Sequence, residues 1–148
     1  MRMLIWHVDS FVAEPTERGR SKLADETPQA VRVDEALVVF AASEKADEPE
    51  PDAVVERAVA AVIDVAKRLG EQTIVLHSFA HLFVELSTPA TAKAILDKMQ
   101  AALDAQGYSV QQSAFGWSSL HIRLLVLHLP VLVERCLPHI ASTHSHAA

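Results

Sequence analysis

The 148-residue sequence has a single cysteine, Cys136, and no long apolar run. One cysteine excludes an internal disulfide bond and is typical of a reducing compartment. The longest apolar run, residues 124–133, is interrupted by His128 and Pro130 and falls short of the ~20 residues that a membrane span needs. At the N-terminus, the polar His7 and Asp9 stand where a signal peptide would remain apolar. These absences predict a cytoplasmic protein with no membrane segment.

The sequence also lacks an excess of positive charge. Its net charge is -6 and its pI is near 5.7, which argues against a general nucleic-acid binder with a basic stripe. The one local basic cluster, Arg18, Arg20 and Lys22, lies in a polar segment. Such a run is more often a solvated surface than a binding site. The charge still allows a protein that binds one end of an RNA.

Half of the residues are hydrophobic and 22% are charged, as in an ordinary globular protein. The length suits one domain with a core of its own. We assign residues 1–138 to this domain. Residues 139–148 contain three histidines but no apolar period, and we expect them to form a mobile tail.

Hydrophobic periodicity predicts alternating strands and helices. Thr88 and Pro89 are typical of a helix start, and Gly70 is typical of a helix end. The segment 14–28 is polar and contains Gly19 and two prolines, so it is interpreted as a long exposed loop. The predicted strands are 3–8, 36–42, 73–77, 108–112 and 119–128, and the predicted helices are 52–69, 88–105 and a short one over 130–136. This order indicates a single-domain α/β sandwich with helices on one face of a mixed sheet.

Two histidines four residues apart, His77 and His81, stand in the apolar stretch "LHSFAHLF". A zinc site would need one or two further ligands, which His121 or His128 could supply only through folding. No Cys-x-x-Cys or His-Glu-x-x-His motif accompanies the pair, because Ser78 stands where that second motif has glutamate. A histidine-based metallohydrolase is therefore a disfavoured alternative, and we predict no metal and no other cofactor.

Two further features of the sequence are candidates for a chemical or binding role. Cys136 lies in "VLVERCL" without an activating signature, where a free cysteine usually acts as a small hydrophobic residue. In "AFGWSS", Gly116 stands between Phe115 and Trp117, which marks a place where the backbone turns or approaches another group closely. These aromatic residues either stack on a base or belong to the core.

Taken together, four segments resemble the archaeal-type editing domain of threonyl-tRNA synthetase, whose fold is shared with D-aminoacyl-tRNA deacylases. They are "MRMLIWHVD" at the start, "DEALVVFAASEKADE" (34–48), "VLHSFAHLFVELSTP" (75–89) and "SAFGW" (113–117). The second and third segments are the most specific. The resemblance covers nearly the whole chain except the tail and the segment 14–28.

The resemblance implies a proofreading deacylase. Such a domain hydrolyses the ester that joins wrongly attached L-serine to the terminal adenosine of tRNA(Thr), while sparing threonine, and related folds act on D-aminoacyl-tRNA. The implied substrate-binding residues are Ala42, Ser43, Ala80, Phe115, Gly116, Trp117, Ser118 and Ser119. The implied catalytic residues are His81 and, on the last helix, Glu134. His77 has no counterpart in the family.

The sequence departs from the family at several positions. The family commonly has an aromatic residue and then a lysine after the "FG-aromatic" turn, where this chain has Ser118 and Ser119. The proline that often precedes "FAH" is Ser78 here. An aminoacyl ester is already activated, however, and the neighbouring 2′-hydroxyl of the adenosine can assist the attacking water. Backbone N–H groups at the Ser43 and Gly116 turns could then stabilise the oxyanion.

The implied partners are the 3′ end of tRNA(Thr) carrying serine and the synthetase's catalytic domain, in the same chain or in trans. A homodimer would also suit the family. The main alternative is a non-catalytic module of the same fold that binds the tRNA 3′ end, as the serines at 118 and 119 suggest.

Overall fold

The computed structural model of the protein describes residues 1–80, 85–126 and 131–133, with side chains described for 1–80 and 85–118. The elements are β1 (Arg2–Arg18), β2 (Val31–Val33), β3 (Ala36–Ala42), α1 (Pro51–Leu69), β4 (Thr73–Ser78), α2 (Pro89–Ala105), β5 (Ser109–Gln112), β6 (Trp117–Val126) and β7 (Val131–Val133), with a 3₁₀ turn at Lys45–Asp47.

Local sequence signals place both helices. α1 begins at Pro51 and ends at Gly70, whose φ of 72° is left-handed, a conformation that costs glycine little. Thr88 caps α2 by accepting a hydrogen bond from the Thr91 N–H at 3.2 Å, and Pro89 opens the first turn. The predictions for 52–69 and 88–105 are therefore confirmed to within a residue.

The sheet is organised around the long strand β1. Along one edge of β1 lie β2 and β3, both antiparallel to it. Along the other edge lie β6, paired over Val8–Arg18, and β7, paired over Met3–Ile5, again antiparallel. Beyond β3, β4 and β5 follow in parallel. The sheet is therefore mixed, as predicted.

Apolar side chains cover both faces of this sheet. On one face, Ile5, Leu37, Val39 and Leu76 pack against apolar residues of the two helices. On the other face, Phe11, Val38, Phe40 and Val75 form a second cluster, because successive side chains of a strand point to opposite faces. The fold class, a single-domain mixed α/β sandwich, is confirmed. No helix within the described ranges is long and apolar enough to cross a membrane.

Two sequence expectations were wrong, and one strand was missed. Residues 14–18 are not loop but the end of β1, because their backbone pairs with β6, and Pro15 is accommodated at register shifts of that ladder. Residues 131–133 form β7 rather than part of a helix, because this Val-Leu-Val run pairs with Met3–Ile5. β2 was not predicted at all. The tail 139–148 lies outside the described residues.

Candidate functional site

The parallel strands β3, β4 and β5 all end at the same edge of the sheet. The segments that follow them therefore meet there, which is the usual place for a ligand site in a parallel sheet. Ser43 follows β3, Ala80 follows β4, and Phe115 and Gly116 follow β5. The start of β1 joins them because β1 is antiparallel to β3 and pairs Arg2 with Ala42.

A cavity of about 200 Å³ opens at this edge. Five predicted substrate-binding residues line it, namely Ala42, Ser43, Ala80, Phe115 and Gly116. The sequence did not point to the other lining residues, which are Met1, Ser21, Ala41, Ser78, Leu86, Ser87, Pro89, Ala92 and Leu96. Most of the lining side chains are small, so the cavity suits a small group rather than a whole nucleoside.

A buried charge pair supports the wall at Ser43. Asp47 is fully buried and accepts a hydrogen bond from the Met1 ammonium group, whose distance to the Glu44 carboxylate is 3.3 Å. Asp47 also accepts hydrogen bonds from the Glu44 N–H at 2.7 Å and from the Ser43 hydroxyl at 3.4 Å. The Ser43 carbonyl accepts the Ser87 N–H at 3.0 Å. A buried charge needs such partners, and here they fix the turn after β3.

Asp25 organises the opposite wall. Its carboxylate accepts the Phe115 N–H at 2.7 Å, and its own N–H donates to the Phe115 carbonyl at 3.1 Å. Its carbonyl accepts the Trp117 indole N–H at 2.9 Å. Three hydrogen bonds therefore join Asp25 to the turn that carries Phe115 and Gly116. No sequence signal separated Asp25 from the other acidic residues of its polar segment.

Gly116 lies where its backbone must approach another segment closely. Its φ is 74°, and a Cβ atom there would come within 2.8 Å of the Ala24 Cβ. Its carbonyl accepts the Gly19 N–H at 2.8 Å. Among the described residues no acceptor is found for the Gly116 N–H, which leaves it able to donate to a ligand. The inference that the backbone approaches another group at Gly116 is confirmed.

The remaining predicted site residues lie elsewhere. Trp117 is half-buried beside Asp25 and does not line the cavity. Ser118 is exposed, and its carbonyl accepts the Thr16 hydroxyl at 3.0 Å. The backbone of Ser119 pairs with Pro15 in the β1–β6 ladder, but its side chain lies outside the described part. His81 and Glu134 also fall outside the described residues, so their catalytic roles stay predictions.

His77 lies on the face of the sheet away from the cavity. Ser78 lines the cavity, and side chains alternate along β4, so His77 points to the aromatic cluster instead. Its ring contacts Phe40, Phe11 and Phe79 at centroid distances of 5.2, 6.1 and 6.3 Å. Burial lowers the pKa of His77 from 6.5 to about 4, because the charged ring would lose its hydration. His77 is therefore neutral at pH 7.

The described residues contain one group with the composition of a metal site, and it is not near the cavity. His7 lies 3.3 Å from carboxylate oxygens of both Glu35 and Glu71. His7 pairs with Leu37 at the start of β3, and Glu71 precedes β4, so the group lies at the end of the strands opposite the cavity. A hydrogen bond between His7 and Glu71 accounts for the arrangement, and neither His77 nor any cavity residue takes part.

Comparison with known proteins agrees with this geometry. The sequence profile of the Archaea-specific editing domain of threonyl-tRNA synthetase matches residues 1–124. The chain belongs to this family. Curated relatives include the threonine–tRNA ligases of Methanopyrus kandleri, 40% identical over 119 residues, and Pyrococcus furiosus, 36% identical over 119 residues. The ligase of Thermococcus gammatolerans is 38% identical over 120 residues.

These matches cover 79% of this editing-domain chain but only 19% of each relative's length. The chain therefore spans about a fifth of the threonine–tRNA ligases that it matches. The shared part includes all five predicted residues that line the cavity, since all lie within residues 1–124. Membership of the family, predicted from the four quoted segments, is confirmed.

Proposed function

We propose that this chain is a proofreading deacylase that hydrolyses mischarged L-seryl-tRNA(Thr) and spares threonyl-tRNA(Thr). The observation that carries the proposal is the cavity of about 200 Å³ at the ends of three parallel strands, in a chain of this editing-domain family. Drug-sized ligands occupy cavities of roughly 300–1,000 Å³. A smaller cavity suits an amino-acid ester at the end of a longer molecule that stays outside.

The small side chains that line the cavity support the proposed discrimination between serine and threonine. Ala42, Ser43 and Ala80 bring the backbone close to whatever occupies the cavity. A binding site gains only about 1–3 kcal/mol from one methylene group, so a synthetase cannot reject serine strongly by affinity alone. A second site that excludes the larger threonine by size corrects that error. D-aminoacyl esters are a further candidate substrate, because the fold is shared with enzymes that hydrolyse them.

The described walls offer backbone groups rather than ionisable side chains. The Gly116 N–H has no acceptor among the described residues, whereas the Phe115 N–H is already bonded to Asp25. Gly116 is therefore the better candidate to donate to the oxyanion of the tetrahedral intermediate. Water attacks the ester carbonyl carbon, and the bond to the ribose oxygen breaks, which releases serine and free tRNA. The vicinal 2′-hydroxyl of the terminal adenosine orients and assists that water.

A deacylation assay with three substrates tests the proposal. Purified chain should release the amino acid from Ser-tRNA(Thr) well above the rate without protein, and Thr-tRNA(Thr) should remain charged. D-aminoacyl-tRNA in a third reaction separates the two substrate classes. A tRNA with 2′-deoxyadenosine at its end should react far more slowly. Equal rates with the deoxy and natural substrates would exclude assistance by the 2′-hydroxyl and require a protein base, with His81 or Glu134 as first candidates.

One observation keeps a binding module as the second candidate. Ser118 and Ser119 replace the aromatic residue and lysine common in the family, and Ser118 is exposed outside the cavity lining. A module that binds the tRNA 3′ end without hydrolysis would bind Ser-tRNA(Thr) in a filter or anisotropy assay and leave its ester intact. Binding together with the uncatalysed rate of ester loss would favour this module over the deacylase.

A further inference from the structure

Residues 19–25, here called the rim segment, run along the cavity wall that Ser21 and Gly116 line. Solvent exposure differs between the residues of this segment that face the cavity wall and their neighbours. Ser21 lines the cavity, and Ala24 is 4% exposed where it packs on Gly116. Arg20 and Lys22, the neighbours of Ser21, are exposed to solvent. The rim segment therefore presents two cations next to a residue of the cavity wall.

The rim segment is held firmly for a surface loop. At one end the Gly19 N–H donates to the Gly116 carbonyl at 2.8 Å, and a Cβ atom at Gly19 would come within 2.7 Å of that oxygen. At the other end Asp25 bonds both the N–H and the carbonyl of Phe115. The Arg18 guanidinium donates to the Ala24 carbonyl at 3.3 Å. The backbone that carries Arg20 and Lys22 is therefore fixed relative to the cavity.

The charges of Arg20 and Lys22 have not been neutralised locally. No carboxylate among the described side chains forms an ion pair with either of them. Several other surface cations do have such partners, namely Arg32 with Glu14, Arg68 with Asp64, Lys93 with Asp97 and Lys98 with Asp52. Lys45 and Lys67 also have no ion pair among the described side chains, but neither lies next to a residue of the cavity lining on a segment bonded to Gly116. In a chain with a net charge of -6, two unpaired cations beside a cavity form a local site for negative charge.

We propose that Arg20 and Lys22 of the rim segment bind backbone phosphates of the RNA strand whose aminoacylated 3′ end enters the cavity. This inference rests on the proposed function, because it assigns the position of the substrate's RNA at the same site. Any RNA end that places its ester in the cavity must bring its last phosphates past the opening. Lysine and arginine bind phosphates without reading sequence, and they gain affinity by releasing counterions.

A pair of double variants tests the proposal. Arg20→Ala/Lys22→Ala removes the two cations of the rim segment. Lys67→Ala/Arg68→Ala is the matched control, since it removes one lysine and one arginine from the exposed end of α1, far from the cavity. None of the four residues lines the cavity. Both variants and the unmodified 148-residue chain are assayed for Ser-tRNA(Thr) hydrolysis and for anisotropy of a labelled single-stranded RNA ending in CCA.

The rim variant should raise KM and the dissociation constant of the RNA while leaving kcat unchanged. Two phosphate contacts to a single strand contribute about 1.4 to the slope of log K against log salt, at about 0.7 each. The ratio of the dissociation constants of the rim variant and the unmodified chain should therefore fall about sevenfold as the salt concentration rises from about 50 to about 200 mM. The control variant should keep the salt slope of the unmodified chain.

The outcomes separate this inference from the proposed function. Identical KM and salt slope in the two double variants would overturn the phosphate contact while leaving hydrolysis in place. RNA binding that depends on Arg20 and Lys22, without ester hydrolysis by the unmodified chain, would support the contact and refute the deacylase. Failure of the unmodified chain to bind the RNA would overturn the contact. Circular dichroism of each variant checks that the fold is kept.

Discussion

Replacing Asp25 by alanine should loosen the cavity wall formed by Phe115 and Gly116 without altering any residue that lines the cavity. The substitution removes the carboxylate that accepts the Phe115 N–H at 2.7 Å. It keeps the backbone bonds of Asp25 to the Phe115 carbonyl and the Trp117 indole, because alanine has the same main chain. The variant therefore removes this hydrogen bond and the partly exposed ion pair of Asp25 with Lys93 at 3.9 Å, and it leaves the backbone contact intact.

The expected cost follows from the kind of bond that is lost. A hydrogen bond to a charged group contributes about 1.5–3 kcal/mol to stability. The Asp25 side chain is 36% exposed, so water can partly replace it, and the lower end of that range applies. Asp25→Asn keeps an oxygen that can accept the Phe115 N–H and should cost about 1 kcal/mol or less. Comparison of the two variants separates the effect of losing the hydrogen bond from the effect of losing the negative charge.

Urea unfolding followed by tryptophan fluorescence measures this cost. With a slope of roughly 1–3 kcal/mol per molar urea, the midpoint for Asp25→Ala should fall by about 1 M. Trp117 donates to Asp25, so its emission also reports on the wall in the folded protein. Asp64→Ala is the matched control, because Asp64 is exposed and forms a surface pair with Arg68, which is worth about 0.5 kcal/mol or less.

Activity provides the second measurement. Because the Gly116 N–H is proposed to donate to the oxyanion, displacement of the turn should lower kcat for Ser-tRNA(Thr) more than it raises KM. Asp25→Asn should restore most of the lost kcat. Unchanged kcat and an unchanged urea midpoint for Asp25→Ala would refute the conclusion that this carboxylate holds the wall.

Four further outcomes are expected. Ala80→Val should slow serine hydrolysis while the fold is kept, because its added methyl groups would narrow the cavity where Ala80 lines it, and full activity would contradict this account of specificity. His81→Ala should impair hydrolysis more than His77→Ala, because His77 lies on the opposite face of the sheet, and equal losses in folded variants would count against His81. In His77→Phe, the free energy of unfolding should fall less at low pH than it does in the unmodified chain. Unfolding experiments at a series of pH values measure this difference. The unfolded chain takes up a proton at His77 below about pH 6.5, whereas the folded chain does so only near its pKa of about 4, so stability falls as pH falls through this window by up to about 3 kcal/mol. Chelation should leave hydrolysis unchanged, and activity that is lost with a chelator and restored by zinc would show that the chain needs a metal.

Those parts of the fold that depend on local sequence signals were predictable. Thr88, Pro89 and Gly70 act within a few residues of themselves, so the ends of α1 and α2 could be placed from the sequence. Residues 14–18 and 131–133 were misassigned because their conformation depends on pairing with distant strands. Pro15 in particular suggests a loop, and only the irregular ladder with β6 explains its place in a strand.

The same distinction applies to the site. Gly116 between two aromatic residues indicated a close backbone approach, and the structure shows Ala24 as the neighbour. The family resemblance pointed to Ala42, Ser43, Ala80, Phe115 and Gly116, all of which line the cavity. The role of Asp25 could not be recognised, because its contacts join residues about 90 positions apart. Arg20 and Lys22 were noted from the sequence, but only as part of a basic cluster of the kind that is more often a solvated surface.

The way in which the cavity is built suggests why serine at positions 118 and 119, in place of the family's aromatic residue and lysine, need not abolish the proposed activity. The described cavity is bounded by the ends of β3, β4 and β5, whose relative positions are set by backbone pairing in the sheet. A substitution that changes only a side chain leaves that framework in place. The groups expected to matter most are then those that hold the turns in position, namely Asp47 behind Ser43 and Asp25 behind Phe115. If the 2′-hydroxyl of the substrate assists the water, the protein must hold two backbone turns accurately, and a lysine at position 119 becomes dispensable.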